Sequence, residues 1–585
     1  MPVDSPRKSG IYALLRYDGG PLAPADLNAL GLGAAPDARG WFAQGHDGQS
    51  ATAVSEYSGR GCHTVIVGEV EERLELAREL GLEPDVSAAE LAAAALVRFG
   101  SDTPQHLIGE WSLLRRDVHG TVTAMISAAR RDPVLYAARG GRIALAPDLF
   151  RLARLDWVDQ TLDEVGLLSR VGRDFLREQR GARTMLRGVS ELHPGESLTI
   201  DPAGKSTIMA CTVFTPQAVF TGSFADMVAA TDELLAKLMA ERLARVPRSA
   251  LLLSGGLDSS LLSAFAVETN RDLLAITSVA PPGSGLPDEV RFAELAARHL
   301  GLPLHPVAPA EALNTYRPAD HILAGANGPS LPTRHCLTES FQLTARAEGA
   351  ALLVNGCYGE MTATARLPVQ SLRLRLRAMA AHSWHALRGT GENAILADPF
   401  HVRLSPHRFA NLPAPIREIL AEPLPPPIPL PRLGPLGYLP GVEKTLRMGN
   451  EFYPGAIRMD FPFRDLRLLR LYAGFPVETL VSEGHDRPVV RRLLDGRLPD
   501  AIRLRTRGMP ASPDHLPRLQ RQAAAARQRI AAFRQAELDE WLDLAWLDTA
   551  LGRVGAHGAE DVGDANTVQL TAILAEFLLW WRTRF

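Results

Sequence analysis

The segment at residues 254–260 reads Ser-Gly-Gly-Leu-Asp-Ser-Ser and constrains the fold of this chain more than any other feature. It follows an apolar run at residues 250–253 and precedes a helical pattern at residues 261–268. A strand, a glycine-rich turn and a helix in this order direct backbone N–H groups and a helix N-terminus at an anion. The carboxylate of Asp258 would repel phosphate oxygens, and a Mg²⁺ ion between them removes that conflict. The segment therefore predicts a phosphate site that includes a metal ion.

The spacing of this segment differs from the Walker A loop, which needs a lysine that is absent here. It resembles the Ser-Gly-Gly-x-Asp-Ser-Ser signature of the PP-loop ATP pyrophosphatases, and all seven positions match. The resemblance implies cleavage of ATP between the α- and β-phosphates, so that AMP is transferred and pyrophosphate leaves. The structural alternative is an ordinary Gly-Gly turn at the end of a buried strand.

Composition narrows the function classes. The chain has 585 residues, a formal net charge of −3 and 46% hydrophobic residues, enough for two or three domains with sizeable cores. The near-neutral charge argues against a nucleic-acid partner, and no apolar run is long enough for membrane insertion. Residues 1–10 lack the apolar core of a signal peptide, and the four cysteines have no metal-ligand spacing. We therefore expect a cytoplasmic, soluble enzyme with free thiols.

Residues 1–210 read as one unit. Short β-like runs alternate with Gly and Pro turns, and a helical pattern at residues 87–98 interrupts them. This arrangement predicts an α+β or layered-sheet domain. The β-like runs lie at residues 11–16, 63–68, 121–127, 143–146 and 197–200. An amphipathic helix at residues 223–245, with Ser223 as its N-cap, follows at the junction.

From residue 250 onward strands and helices alternate, which predicts a doubly wound parallel sheet. The predicted strands are residues 250–253, 273–279, 302–307 and 351–355, and the predicted helices are residues 259–268, 289–299 and 336–348. Ligands of such sheets bind at the carboxyl ends of the strands, where the 254–260 segment lies. The proline-rich stretch at residues 423–440 predicts an irregular connection, and residues 574–585 predict a docked terminal helix.

Over nearly its full length the chain resembles the asparagine synthetase superfamily. Residues 278–289 look like the family's segment that passes the adenine, and residues 355–360 (Asn-Gly-Cys-Tyr-Gly-Glu) stand where asparagine synthetases carry Ser-Gly-Glu-Gly-Ser-Asp. Residues 462–465 (Pro-Phe-Arg-Asp) are similar to the family's Pro-Phe-Leu-Asp, and residues 498–507 contain Leu-Pro followed by Arg-Thr-Arg where the family has Leu-Pro followed by Arg-x-Lys.

The resemblance implies a specific fold class. An N-terminal Ntn-type, glutaminase-like α+β sandwich would occupy residues 1–210. A PP-loop synthetase domain with a doubly wound parallel sheet, like that of adenine nucleotide α-hydrolases, would occupy residues 215–585, with residues 423–440 as a proline-rich connection.

The first unit departs from the family at its start. Ser9, Gly10 and Ile11 stand where the glutaminase domain would begin with Cys-Gly-Ile, and no cysteine occurs before Cys62. A glutaminase of this type needs a cysteine as its first mature residue, because its own α-amine serves as the base. Ser9 would become terminal only after cleavage of the residues before it. We therefore expect this domain to be inactive in glutamine hydrolysis and retained as a scaffold.

A member that releases no ammonia should use an amine already present on its substrate. β-Lactam synthetases close a small ring in this way, and lasso-peptide cyclases join an Asp or Glu side chain of a precursor peptide to its α-amine. The chain's length, missing nucleophile, Arg- and Pro-rich insertion and altered second motif most resemble the lasso cyclases. This branch implies a precursor peptide and a partner that binds or cleaves its leader. The alternatives are a small-molecule ligase, either ammonia-dependent and asparagine synthetase-like or β-lactam synthetase-like, and a non-catalytic ATP-binding scaffold.

The resemblance also assigns roles to residues. Asp258 and Glu360 would bind Mg²⁺, with Glu360 in place of the usual aspartate. Arg507 stands where the family has a lysine that acts in the second step; it keeps the charge but cannot donate a proton. Tyr358, one position from the β-lactam synthetase tyrosine, and Glu451 are candidate bases, and packing beside the metal loop is the alternative for Tyr358. The pyrophosphate would contact Ser254, Gly255, Gly256, Ser259 and Ser260, and the adenosine would contact Leu253, Val279 and Gly356.

Overall fold

The structure of the protein is a computed structural model. It describes residues 7–33, 40–47, 52–59, 61–130, 132–168, 181–211, 220–364, 457–476, 487–506, 508, 512–557 and 562–585. Within these ranges the strands form three sheets, two antiparallel sheets in the N-terminal part and one parallel sheet after it. No helix in the same ranges combines the length and apolar character needed to span a bilayer.

Antiparallel strands build the N-terminal part of the chain. They are β1 Gly10–Arg16, β2 Trp41–His46, β3 Val54–Gly59, β4 Cys62–Val70, β5 Gly109–Arg116, β6 Val122–Ile126, β7 Val134–Arg139, β8 Arg142–Ala146, β9 Ser190–Leu192, β10 Glu196–Ile200 and β11 Ser206–Ala210. The first sheet has the order β2-β1-β8-β7-β9, and the second has the order β11-β10-β6-β5-β4-β3. The five predicted β-like runs therefore correspond to strands β1, β4, β6, β8 and β10.

Alternation along β1 explains how these two sheets pack. Ile11, Ala13 and Leu15 face a core shared with Val65 and Val67 of β4, so the sheets lie face to face. The intervening Tyr12 and Leu14 point the other way, into a separate core that contains C-terminal helices. The result is the layered α+β arrangement that the sequence predicts, while its assignment to the Ntn type stays a prediction.

Short helices cover the sandwich. They are α1 Pro24–Leu30, α2 Arg73–Glu79, α3 Ala88–Phe99, α4 Thr103–His106, α5 Leu149–Ala153 and α6 Glu164–Leu168, with a 3-10 turn at Gly100–Asp102. Ser87 caps α3 by accepting a 3.1 Å hydrogen bond from the Glu90 N–H, which fixes the start of the predicted helix. The alanine-rich face of α3 packs on the outer side of the second sheet, against Ile66 and Trp111.

The parallel sheet consists of β12 Arg248–Leu252, β13 Asp272–Ser278, β14 Leu304–Val307, β15 Leu352–Val354 and β16 Arg458–Asp460. Its order is β14-β13-β12-β15-β16, and every neighbouring pair is parallel. The chain runs outward from β12 to β14 and then returns to place β15 on the other side of β12. The direction of winding therefore reverses between β12 and β15, which is where doubly wound sheets bind ligands. The predicted parallel sheet is confirmed; β16 was not predicted.

Helices flank this sheet and continue to the C-terminus. They are α7 Phe224–Leu243, α8 Leu257–Val267, α9 Val290–Leu300, α10 Asp320–Gly325, α11 His335–Ala347, α12 Leu466–Gly474, α13 Pro488–Leu493, α14 Asp500–Arg503, α15 His515–Gln528, α16 Ile530–Gln535, α17 Leu544–His557 and α18 Val562–Arg582, with 3-10 turns at Gly359–Met361, Pro462–Arg464 and Leu538–Glu540. A capping box between Ser223 and Asp226 starts α7, so the predicted N-cap is confirmed.

Two hydrophobic cores enclose the parallel sheet. Leu251 and Leu253 face a core that includes α7, α8 and α12, whereas Ala250 faces the core beneath α11. A strand buried on both faces reads as a continuous apolar run, which is why β12 could be predicted from its composition.

The N-terminal sandwich and the later helices share a core. Trp157, from the N-terminal part, lies in the same cluster as Leu519, Phe577 and Trp580. The predicted C-terminal helix is confirmed as a docked element, because both Trp580 and Trp581 are buried. The predicted boundary near residue 210 lies between the two antiparallel sheets and the parallel sheet, and one hydrophobic core contains residues from both sides of it.

A buried arginine joins the same two parts through charge. Arg242 of α7 lies 3.2 Å from the Glu110 carboxylate of β5 and 2.9 Å from Asp465, and it also pairs with Asp460 of β16. Burial alone lowers the pKa of Arg242, but the negative charges of Asp460, Glu110 and Asp465 outweigh it and hold that pKa well above its ordinary value. The guanidinium therefore stays charged and holds three carboxylates together.

Candidate active site

The loop at residues 254–260 turns sharply out of β12. Gly255 has a φ of +68°, and a Cβ at this position would lie 2.6 Å from the backbone carbon of Phe292 on α9. Glycine is therefore required both for the left-handed conformation and for the close approach of the two backbones. Gly256 then serves as the N-cap of α8, which begins at Leu257.

Serine hydroxyls fix the curvature of this loop. The Ser254 N–H donates to the Ser259 Oγ at 3.1 Å, the two serine hydroxyls are 3.0 Å apart, and the Gly256 N–H reaches the Ser254 Oγ at 3.3 Å. The Ser260 Oγ is buried and has no hydrogen-bond partner in the part of the chain that the structure describes. A buried hydroxyl without a partner is unfavourable, so the Ser260 hydroxyl can still form a hydrogen bond with a ligand at the loop.

Asp258 lies in the first turn of α8 and contacts two residues from distant parts of the chain. The Thr364 hydroxyl donates a short hydrogen bond to its Oδ1, and the Arg487 Nη1 lies 3.5 Å from its Oδ2. The Asp258 side chain is 32% exposed, so its carboxylate remains accessible. The Arg487 Nε is buried without a hydrogen-bond partner among the described residues.

The loop after β15, at residues 355–360, packs directly on this turn. A Cβ at Gly356 would lie 3.0 Å from the Ser259 nitrogen, and a Cβ at Gly359 would lie 2.3 Å from the Asp258 Oδ1. Both glycines therefore permit contact between the loops that follow β12 and β15. The structure thus brings together the two segments that the sequence predicts to share a metal ion.

Glu360 follows Gly359 in the short 3-10 turn, and the residue as a whole is exposed to solvent. Partial loss of solvation by the surrounding protein raises the pKa of its carboxyl above the usual value, and the negative charge of Asp258 acts in the same direction, while Arg487 opposes both. A cation bound between Glu360 and Asp258 would favour the charged form of both carboxylates.

The predicted base and nucleotide-contact residues have different surroundings. Tyr358 has a φ of +73°; its ring lies 5.5 Å from that of Phe461 and beneath the Arg464 guanidinium at 5.3 Å. Leu253 is buried and its N–H donates to the Ile276 carbonyl at 2.9 Å. These contacts fit a packed aromatic beside the metal loop, and a role of Tyr358 as a base stays a prediction.

The segment after β13 is closed by Asp288. The Val279 N–H first bonds to the Val307 carbonyl at 3.0 Å, which extends the pairing of β13 with β14. The Asp288 carboxylate then accepts hydrogen bonds from the Ala280 N–H at 3.0 Å and the Val290 N–H at 3.2 Å. Val279 therefore starts a loop at the carboxyl end of the sheet, and its contact with the adenosine stays a prediction.

Arg505 supports the 254–260 loop from outside. Its Nη1 donates to the Gly255 carbonyl at 3.0 Å, its guanidinium lies 4.1 Å from the centre of the Phe292 ring, and it forms an ion pair with Glu289. Sequence reasoning noted this residue only as part of a motif. The predicted residues Arg507 and Glu451 lie outside the described residues.

Sequence reasoning missed Thr364 and Arg487, although both contact Asp258. Thr364 is separated from Asp258 by 106 positions and Arg487 by 229, and neither belongs to a motif that sequence analysis quoted. Only the topology of the sheet brings them to the loop. The only sequence signal near Arg487 is Pro488, which marks the start of a helix and does not indicate a contact with Asp258.

The glycine-rich 254–260 loop lies at the winding reversal of the parallel sheet in this α/β protein. The asparagine synthase family model matches residues 230–339 and 456–582. The matched segments contain the 254–260 loop, Arg487 and Arg505, and they exclude residues 355–364. The two matched segments cover less than half of the chain, and the match supports a similarity to the asparagine synthetase superfamily and its ATP-dependent ligases.

Two solved structures also show similarity. A glutamine phosphoribosylpyrophosphate amidotransferase from B. subtilis, complexed with ADP and GMP, is 11% identical and aligns over 60% of this chain and 70% of its own, with a TM-score of 0.23. A structure described as the allosteric regulatory enzyme of purine biosynthesis is 11% identical over 53% of this chain and 61% of its own, with a TM-score of 0.22. No curated protein matches the chain.

The residues present fit ATP together with Mg²⁺. The glycine turn leaves no side chain between the loop backbone and a phosphate, and the Ser260 hydroxyl has no partner among the described residues. Mg²⁺ is commonly held by one or two carboxylates together with substrate phosphates. Asp258 and Glu360 supply such a pair, and no cluster of three or more metal-binding side chains occurs in the described ranges.

Proposed function

We propose that the chain is an ATP-dependent, AMP-forming amide ligase that acts on a precursor peptide. It would activate an Asp or Glu side-chain carboxylate and join it to the peptide's N-terminal amine, closing a macrolactam as in lasso-peptide biosynthesis. The observation that carries the proposal is the meeting of the 254–260 and 355–360 loops around Asp258, at the winding reversal of the sheet. The family match supports the ligase class.

In the first step a carboxylate oxygen of the peptide attacks the α-phosphorus of ATP, the bond to the bridging oxygen breaks, and pyrophosphate leaves. Asp258 and Glu360 would hold Mg²⁺, which when bound neutralises charge on the phosphates. Arg487 has donor capacity left beside Asp258 and would contact a phosphate oxygen. The groups that would hold the leaving pyrophosphate are Ser254, Gly255, Gly256, Ser259 and Ser260.

In the second step the amine nitrogen attacks the activated carbonyl carbon and AMP leaves with the former carboxylate oxygen. Confinement of the two ends of one peptide in a single site supplies the proximity that this step needs. The amine proton would pass to Tyr358 or Glu451, and Arg507 would stabilise the charge that develops. Leu253, Val279 and Gly356 would line the adenosine.

The N-terminal unit is proposed to be an inactive, glutaminase-like scaffold. Ser9 is buried and follows Lys8, whose backbone N–H and carbonyl both bond to the Tyr12 hydroxyl. The Ser9 nitrogen lies in the peptide bond to Lys8 and would become the free amine of a terminal nucleophile only after that bond is cleaved. A ligase without an ammonia source needs an amine on its own substrate, which supports the peptide-cyclising branch. A leader-binding or protease partner and a cytoplasmic location belong to the same proposal.

Mass spectrometry tests the proposal. The protein, ATP and Mg²⁺ would be incubated with a leader-free peptide that begins with Gly and carries an early Asp or Glu. Loss of one water, dependent on ATP and accompanied by a blocked N-terminus and by AMP, is the expected result. Asp258→Asn should abolish the product. Asp272→Asn should retain it, because Asp272 is exposed at the opposite end of β13.

Other outcomes select the alternatives. AMP formed with free aspartate and ammonium, or with a β-amino acid, would replace the peptide cyclase with a small-molecule ligase. Nucleotide binding without AMP formation under all these conditions would favour a non-catalytic scaffold.

A further inference from the structure

Thr364 lies where it can control the orientation of the Asp258 carboxylate. Its side chain is fully buried, and its hydroxyl donates to the Asp258 Oδ1. The turn that carries it is closed by Gly359, whose carbonyl accepts hydrogen bonds from the Thr362 N–H at 2.9 Å and the Thr364 N–H at 3.0 Å. The same short turn therefore begins at Gly359, which lies against the Asp258 carboxylate, and places the Thr364 hydroxyl next to that carboxylate.

A side chain at position 359 would occupy the space that the Thr364 hydroxyl fills. A Cβ at Gly359 would lie 2.6 Å from the Thr364 Oγ1 and 2.3 Å from the Asp258 Oδ1. Distances below 3.0 Å are not tolerated, so any side chain at position 359 would displace one of these groups. Position 359 is also where the related motif has a serine, so this chain lacks that hydroxyl and places a threonine hydroxyl in the same region.

We propose that Thr364 is a positioning residue for Asp258, and that glycine at position 359 makes room for it. The inference rests on the proposed function, because Asp258 is there a Mg²⁺ ligand. A hydrogen bond to Oδ1 fixes the plane of the carboxylate and leaves Oδ2 directed toward Arg487 and an incoming metal–nucleotide complex. Groups that hold a ligand in this way commonly change metal affinity by about 10- to 100-fold when they are removed.

The chain offers a matched control for this role. Thr362 is two residues away and is also fully buried, but its Oγ1 has no hydrogen-bond partner within the described residues. Replacing either threonine by valine preserves the shape of the side chain and removes only the hydroxyl. A difference between the two variants therefore reports the hydrogen bond to Asp258 and not general packing.

The experiment measures binding of a fluorescent ATP analogue as a function of Mg²⁺ concentration, together with thermal unfolding. For Thr364→Val we expect the half-saturating Mg²⁺ concentration to rise by about 10-fold or more, with binding in the absence of Mg²⁺ unchanged. Thr364→Ser should restore the wild-type value, and Thr362→Val should match it. Equal Mg²⁺ dependence in the two valine variants, or no rescue by serine, would overturn the inference.

A second set of variants covers the case in which Thr364→Val fails to fold. Gly359→Ser should shift Asp258 and weaken Mg²⁺-dependent binding, while Gly359→Ser combined with Thr364→Ala should lose less than the sum of the two single variants, since both changes act on the same space. Strictly additive effects would contradict the shared space. Wild-type protein that binds Mg²⁺ and nucleotide but closes no ring would remove the macrolactam function and leave this inference standing. Wild-type protein that binds neither would remove both.

Discussion

Two regions of the molecule, called corners below, hold polar side chains in different surroundings: the start of the sandwich at Lys8 and Ser9, and the loop after β12 with Ser260. At the start of the sandwich, the Ser9 hydroxyl accepts a 3.2 Å hydrogen bond from Arg130, and Lys8 bonds to the Ala324 carbonyl at 3.3 Å and to Asn327. At the end of β12, by contrast, the Ser260 hydroxyl and the Arg487 Nε lack hydrogen-bond partners within the described residues. The Ser9 hydroxyl is thus paired within the protein, whereas the Ser260 hydroxyl and the Arg487 Nε are not paired with any described residue.

This is the difference that we expect between a scaffold and a binding site. The Asn327 side-chain oxygen accepts hydrogen bonds from the Lys8 Nζ and the Leu149 N–H, and its Nδ2 donates to the Pro147 carbonyl at 2.8 Å. Asn327 therefore joins the residues before β1 and after β8 to a later segment of the chain. A polar group that is already satisfied contributes to stability, whereas an unsatisfied buried group carries a cost that a ligand can relieve. We therefore expect substitutions of paired groups to change stability and substitutions of unpaired groups to change binding.

The largest expected effect belongs to Arg242, which links the two corners. Arg242→Met would leave Glu110, Asp460 and Asp465 buried without their shared cation. Breaking a buried ion pair by removing one partner costs about 3–5 kcal/mol. We expect the thermal unfolding midpoint to fall sharply.

Arg248→Met is the matched control for this experiment. Arg248 lies 3.8 Å from Asp272 in a solvent-exposed pair, and such pairs contribute about 0–1 kcal/mol. Similar losses of stability in the two variants would show that the buried cluster is not a special link between the sandwich and the parallel sheet.

The next largest expected effect on stability is at His335, a buried histidine that adjoins Cys336. Burial lowers the pKa of His335 to about 4, and burial raises the pKa of the adjacent Cys336 to about 12. The unfolded chain binds a proton at an ordinary histidine pKa of about 6.5, so below that pH the unfolded state gains protons that the folded state refuses. Stability from this residue is therefore present above pH 6.5 and is lost progressively as pH falls toward 4.

The corresponding loss is about 2 kcal/mol between pH 7 and pH 5. His335→Gln should lose less stability over this interval than the wild type, as measured by urea unfolding at both pH values. His299→Gln, at an exposed position at the end of α9, should follow the wild type. A wild-type pH dependence in His335→Gln would show that this histidine is protonated in the folded protein.

The parallel sheet was predictable because its strands obey simple composition rules, and its exceptions have physical causes. β12 was predicted from its apolar residues Ala250, Leu251 and Leu252, as expected for a strand buried on both faces, whereas its polar start at Arg248 and Ser249 was not. β16 reads Arg-Met-Asp and was missed, because its two charged residues are buried as members of an ion-pair cluster. β3 has alternating polar residues at the edge of its sheet and gives an equally weak signal.

The candidate site was predictable where one short segment carries the chemistry. The 254–260 motif indicated the turn, and the resemblance to asparagine synthetases indicated the 355–360 segment as its neighbour, in agreement with the adjacent strands β12 and β15. The contacts of Thr364 and Arg487 with Asp258 could not be predicted, since they depend on how separate segments meet in three dimensions. Arg507 and Glu451 lie outside the described residues, so their roles stay predictions.

Arg487 and Arg505 offer a direct test of the distinction between available and satisfied groups. Arg487→Met should weaken nucleotide binding by about tenfold with little change in unfolding, because its contact with Asp258 is long and its Nε is unpartnered. Arg505→Met should mainly lower stability, since Arg505 supports the Gly255 carbonyl and stacks on Phe292. The measurements are nucleotide titration and thermal unfolding of each variant. The reverse pattern would remove the distinction.

The smallest expected effect is at Ser9, where the residue type suggests reactivity and the surroundings do not. Ser9→Cys would restore the residue type that a glutaminase needs, yet the nitrogen at position 9 would remain in a peptide bond to Lys8. We therefore expect no glutamine hydrolysis, measured as glutamate release, and unchanged AMP formation with the peptide substrate. Ser9→Ala should lose only the hydrogen bond from Arg130, worth about 1 kcal/mol. Glutamate release by Ser9→Cys would place a working nucleophile in the sandwich and reverse the comparison between the two corners.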